Sequence, residues 1–67
     1  MNRPYLFRGD IALMINVSVR QVERNEVRWG LRPHREDLNR RVIRYRRDGV
    51  IAALSKSGFS VAQVAQL

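Results

Sequence analysis

The stretch Ser18-Val19-Arg20-Gln21-Val22-Glu23-Arg24-Asn25-Glu26-Val27-Arg28-Trp29-Gly30 decides the fold. Ser18 is a good helix N-cap, and Gly30 is a natural stop just past a helix end. Between them the apolar residues recur at a helical period and predict a helix over residues 19–29. At 100° per residue, Arg20, Gln21, Arg24, Asn25 and Arg28 share an arc of about 140°. Val19, Val22, Glu26 and Trp29 lie opposite. The arc consists of the side chains that read base edges, Arg for guanine and Asn or Gln for adenine. Acids are absent from it, whereas a solvated helix face usually mixes them in four residues from its cations. The plainer alternative is a core helix whose outer face is basic. Glu26, beside the apolar stripe, is expected to pair with an arginine of the following hairpin or to lie at the domain edge, because a buried charge needs a partner.

Upstream, Tyr5, Leu6 and Phe7 form an apolar entry, and Ile11, Ala12, Leu13, Met14 and Ile15 suit a short buried helix. Asn16-Val17-Ser18 interrupts it, since Asn tolerates a left-handed turn. Two helices joined by this tight corner make a helix-turn-helix unit, with residues 19–29 as the groove-reading helix. Downstream, Leu31-Arg32-Pro33 cannot continue a helix. Arg41-Val42-Ile43-Arg44-Tyr45-Arg46 alternates, is rich in β-branched and aromatic residues, and reads as a strand. Its expected partner is 31–34, with 34–40 as the loop. Asp48 is the expected N-cap of a third helix through Val50, Ile51, Ala53 and Leu54, ended by Ser57-Gly58. A segment from Ser60 to Leu67 has apolar residues at helical spacing. The domain expectation is 1–58 as one folded unit, with 59–67 as a C-terminal tail of helical pattern.

The hairpin is rich in arginine. Arg40, Arg41, Arg44, Arg46 and Arg47 fall within eight residues, and Arg32 and Arg35 stand on the other arm. With Ile43 and Tyr45 facing inward, Arg44 and Arg46 point out. Such a hairpin can reach a phosphate backbone or place arginine in a minor groove. Charged residues also protect strand edges, but one or two suffice for that. His34 reads as incidental, and Trp29 and Tyr45 read as core.

The composition agrees. The 67 residues hold 13 Lys+Arg against 6 Asp+Glu, a net charge of +7, and every cation but Lys56 is arginine. Arginine pairs bidentately with phosphate and with guanine edges. A core of this size contributes roughly 3–5 kcal/mol. The absence of cysteine removes disulfides and thiolate zinc sites, so packing must stabilise the fold, with self-association or a bound polyanion as the further sources open to it. One His, no Cys and scattered carboxylates leave no catalytic constellation, and the isolated glycines form no phosphate-cradling loop, so neither an enzyme nor a cofactor is expected. No run approaches the roughly 18–20 apolar residues of a membrane span. No apolar leader stands at the N-terminus, and a cytoplasmic location is the expectation.

The order of these motifs resembles the excisionase and MerR-like winged helix-turn-helix family. The resemblance covers roughly residues 5 to 55. Ala12-Leu13-Met14-Ile15-Asn16-Val17-Ser18 is similar to the end of that family's first helix. Arg20 and Val22 are similar to positions of its recognition helix, and Gly30-Leu31-Arg32-Pro33 to the turn after it. Arg41 to Arg47 resembles the return strand of the wing, leading into Asp48 to Leu54. Two positions depart: Phe7 stands where a Ser or Thr cap is usual, and polar Asn25 where an apolar residue is frequent. The 34–40 loop is also long.

The resemblance implies an α+β, mostly α fold, a winged helix-turn-helix with a two-stranded β-hairpin wing. It implies a recombination directionality factor that binds and bends double-stranded DNA beside an attachment site of a mobile element. Self-association on DNA and a tyrosine-type integrase as partner follow from the same resemblance. The implied DNA contacts are Ser18, Arg20, Gln21, Arg24, Asn25 and Arg28 from the helix, and Arg35, Arg40, Arg41, Arg44 and Arg46 from the wing. A transcriptional regulator of the same fold is the alternative. A basic RNA-binding protein is a third reading, opposed by the two-faced second helix.

Overall fold

A computed structural model describes residues 4–59; the tail expected at 59–67 lies, beyond Phe59, outside the described residues. The described residues are α+β, with three helices and a three-stranded antiparallel sheet. In chain order the elements are β1 (Tyr5–Leu6), α1 (Arg8–Ile15), α2 (Val19–Arg24), β2 (Arg35–Asp37), β3 (Ile43–Arg46) and α3 (Arg47–Lys56). A single 3₁₀ turn, Arg32–His34, leads into β2.

Helix α1 begins at Phe7, whose side chain cannot cap. The Asp10 carboxylate supplies the compensation, accepting the Phe7 backbone N–H at 2.9 Å. Ile11, Ala12 and Met14 are its buried residues. It ends as the sequence anticipates, at Asn16 in the left-handed region (φ 59°), and the Val17 N–H folds back to the Ala12 carbonyl at 2.9 Å. Ser18 then caps α2 in a reciprocal pair. Its hydroxyl accepts the Gln21 N–H, and the Gln21 side-chain oxygen accepts the Ser18 N–H, both at 3.1 Å.

Helix α2 is shorter than the sequence pattern suggests. It stops at Arg24, and residues 25–30 form consecutive turns. The Asn25 side-chain amide donates to the Gln21 carbonyl at 2.8 Å, a local bond that competes with helix propagation. Gly30, at φ 72°, ends the turns rather than the helix. The Leu31 N–H closes onto the Glu26 carbonyl at 2.8 Å.

The sheet corrects three expectations. The partner of β3 in the hairpin is Arg35–Asp37, because Pro33 directs 32–34 into the 3₁₀ turn instead. Residues 41–42 belong to the loop, where the Asn39 side-chain oxygen accepts the Arg41 and Val42 N–H groups at 2.8 and 3.0 Å. A two-stranded hairpin becomes three strands in the order β1-β3-β2, since Tyr5 and Leu6 pair with Arg46 and Tyr45. β1 is too short to carry an alternation, so only its pairing reveals it.

Helix α3 starts two residues earlier than expected. Arg46 is its N-cap and Asp48 sits within the first turn, where a carboxylate favours the positive end of the helix dipole. The core joins Leu6, Ile11, Met14, Val22, Leu31, Tyr45, Val50 and Leu54, drawn from both sheet and helices. Trp29 packs edge-on to Phe59 with centroids 5.2 Å apart, so its indole belongs to the periphery of this core.

His34 is not incidental to packing. A Cβ built on Gly49 of α3 would collide with its ring, so the two residues pack face to face. Alanine is normally favoured over glycine inside a helix by roughly 0.5–1 kcal/mol. Gly49→Ala should instead lower the urea midpoint, by about 1–3 kcal/mol of overpacking. Adding His34→Ala should recover most of that loss. A single Gly49→Ala variant more stable than the parent would disprove the contact.

Candidate nucleic-acid interface

Most of the arginines fall into two populations according to whether an acid reaches them. The first is organised by Glu26, 3% exposed in the turn after α2. One of its carboxylate oxygens accepts from Arg8 at 2.9 Å and from the Tyr45 hydroxyl at 2.7 Å; the other accepts from Arg35 at 2.9 Å. Arg32 approaches the same carboxylate at 3.6 Å from a largely exposed position. Arg8 also donates to Glu23 at 3.1 Å and to the Tyr45 oxygen at 3.0 Å. Arg35 grips Asp37 through two nitrogens, at 2.6 and 3.3 Å.

Burial works against ionisation of Glu26, but the hydrogen bonds from Arg35, Tyr45 and Arg8 outweigh it and hold its pKa at about 2. The Tyr45 phenol is pushed up, first by burial and then by donating to Glu26. Asp37 is lowered by its Arg35 partner. For Arg8 burial is the largest influence and opposes the charge, yet the bonds to Glu26 and Tyr45 prevail and raise its pKa. Glu26 therefore is the buried acid of the second-helix pattern, and its partner does come from the hairpin, with α1 supplying another.

Arg44 belongs to the same paired population. It donates to Glu36 at 3.0 Å, directly across the β2–β3 ladder, and its guanidinium lies 3.7 Å over the Tyr5 ring. Arg46 points outward and donates to the Pro33 carbonyl at 3.3 Å. Ile43 and Tyr45 face the core on the alternate positions, as the strand pattern requires.

The second population carries exposed charge. Arg20 and Arg24 on α2, Arg28 in the following turns, and Arg40 and Arg41 in the 38–42 loop are exposed and make no ion pair among the described residues. Of the polar residues beside them, Ser18 and Gln21 are occupied in the α2 cap and Asn25 in the helix end. Arg28 leaves the regular helical arc because α2 has ended. It instead lines an open cleft of about 360 Å³ with Trp29, His34 and Lys56. Arg41 lines another, of about 340 Å³, between the loop and the start of α1 at Phe7 and Arg8.

Sequence reasoning missed Arg8 and Lys56. Arg8 carries no periodic or motif signal; only the tertiary meeting of α1, the turn and β3 reveals its part. Lys56 was readable as a cation in the last turn of α3, but its place in the same cleft as Arg28 was not. No group of His, Cys, Asp and Glu among the described residues could hold a metal ion. Among the described residues no helix is long and apolar enough to cross a membrane. No protein-family model, curated protein or solved structure matches the chain.

The Glu26 cluster has a measurable pH signature. A carboxylate whose folded pKa lies near 2, below the usual 4.5, stabilises the fold above about pH 4.5 and loses that contribution as pH falls towards 2. The contribution is on the order of 3 kcal/mol. Tyr45→Phe removes a bond to a charged acceptor and should cost about 1.5–3 kcal/mol at pH 7. Its deficit relative to the parent should shrink as Glu26 is protonated. Urea unfolding across pH 7 to 2.5 reads both; a deficit independent of pH would break the link to Glu26.

Proposed function

We propose that this chain is a sequence-specific, double-stranded DNA-binding module of the winged helix-turn-helix kind, acting as an excisionase-type recombination directionality factor. The observation that carries the binding is the sorting of arginines. Acids neutralise Arg8, Arg35 and Arg44 inside the fold, while Arg20, Arg24, Arg28, Arg40 and Arg41 keep their charge exposed. Exposed guanidinium groups of this kind neutralise phosphates and reach guanine edges.

In this reading α1, the Asn16-Val17-Ser18 corner and α2 form the helix-turn-helix, and β2, β3 and the 38–42 loop form the wing, with β1 extending it. The α2 outer face enters the major groove. Arg40 and Arg41 at the loop contact the backbone, and Arg46 lies at the margin. Arg35 and Arg44 act within the wing, holding its strands, rather than on DNA. The excision role rests on the similarity of 12–18, 30–33 and 41–54 to the family, and it brings with it DNA bending, neighbouring copies on DNA and an integrase partner.

Fluorescence anisotropy with an attachment-site duplex, and with a structured RNA of equal length, tests the assignment. Duplex DNA should bind more tightly. Arg41→Ala should weaken all duplexes alike and reduce the salt slope by about 1, the signature of one lost phosphate contact. Arg24→Ala should erode discrimination between specific and scrambled duplexes. Arg35→Ala should lower the melting temperature, with the salt slope of the folded fraction unchanged. Equal affinity for the RNA, or a salt slope untouched by Arg41→Ala, would overturn the reading.

A further inference from the structure

The outer face of α2 offers narrower chemistry than its residue types suggest. Adenine is read when one amide both accepts from N6 and donates to N7, so both ends of the Gln or Asn amide must be available. The Gln21 oxygen is held by the Ser18 N–H at 3.1 Å, and the Asn25 nitrogen is held by the Gln21 carbonyl at 2.8 Å. Each amide has one end engaged in starting or ending α2. Each is therefore held in an orientation set by α2, with only its second lone pair or second hydrogen left at that end for an adenine edge.

Arg20 and Arg24 have no such commitment. Both are exposed, they stand one helical turn apart, and neither makes an ion pair or side-chain hydrogen bond among the described residues. A guanidinium fork can donate to guanine O6 and N7 together. We infer that α2 specifies guanine, and not adenine, with Arg20 and Arg24 as the specificity-determining residues. The inference rests on the DNA-binding function proposed above. Four residues of helix rise about 6 Å, between one and two base steps of about 3.4 Å. The two guanines therefore occupy adjoining or next-but-one base pairs. Arg28, outside α2 and lining a cleft with Lys56, falls to the backbone.

The test is selection of duplexes by the full chain from a randomised pool, followed by single-atom substitution in the selected duplex. 7-Deazaguanine and 7-deazaadenine each remove the N7 acceptor and keep Watson–Crick pairing. Replacing either read guanine by 7-deazaguanine should weaken binding about tenfold. Arg20→Ala and Arg24→Ala should each abolish that sensitivity at one guanine. 7-Deazaadenine should leave affinity unchanged throughout the site. Sensitivity to 7-deazaadenine without sensitivity to 7-deazaguanine would overturn the inference and leave DNA binding standing. Retention of no duplex at low salt would overturn the proposed function itself, and this inference with it. The base substitutions use the unaltered chain, so the result does not depend on either variant folding.

Discussion

Glu26 ties the molecule together at one carboxylate. It sits in the turns that follow α2, receives Arg8 from the first turn of α1, and receives Arg35 and Tyr45 from facing strands. In a chain of 67 residues without a disulfide, those elements otherwise rest on the apolar core alone, which is less directional than a hydrogen bond. A buried ion pair adds little net stability over an apolar replacement, because desolvation consumes much of the Coulomb gain. Direction is what it contributes. Three donors aimed at one carboxylate are satisfied together in only one arrangement of helix, turn and hairpin. Removing any of them leaves charge in the interior.

The same carboxylate shapes the electrostatic surface. Arg8 and Arg35, which would otherwise add to a diffuse positive field, are turned inward by it, with Glu23 and Asp37 engaging them further. Glu36 holds Arg44 across the hairpin, where the Tyr5 ring covers its guanidinium. Positive charge on Arg8, Arg35 and Arg44 is thereby countered, while the arginines of the α2 outer face and the 38–42 loop keep theirs exposed. Paired charges contribute little field at a distance. The exposed arginines stand out against a neutralised background, and it is the background that gives them contrast.

What was legible in the sequence is what short-range chemistry decides. Asn16 in a left-handed turn, the Ser18 cap and the inward Ile43 and Tyr45 all follow from a residue and its near neighbours. Where a distant residue decides, the pattern misled. The periodicity of 19–29 continues past Arg24, yet the Asn25 amide ends the helix while Glu26 turns towards partners on three other elements. β2 is Arg-Glu-Asp, a run that no strand preference favours. Its extended state comes from lying opposite Arg44 and Tyr45. β1 is invisible without β3. For the candidate site, the exposed arginines were identifiable as a group, but those available to a ligand could be separated from those held by acids only once the pairs were known.

That separation changes what the arginine excess means. A bias of twelve arginines to one lysine suggests phosphate and guanine at first reading. The fold uses the same property, a planar fork with several donors, for its own assembly. Arg35 donates to two carboxylates at once and Arg8 to two carboxylates and a phenol, geometries that a lysine ammonium would hold with less direction. Part of the arginine signal is thus architectural, and it is concentrated where the strands meet the Glu26 turn. The part left for the proposed recognition is smaller. Arg20 and Arg24 are fixed to a capped helix, and Arg40 and Arg41 sit in a loop that Asn39 holds in shape. A few guanidinium groups on elements set by buried pairs give more directional recognition than a larger number spread over a surface would, because less side-chain and backbone freedom is lost when they meet a ligand.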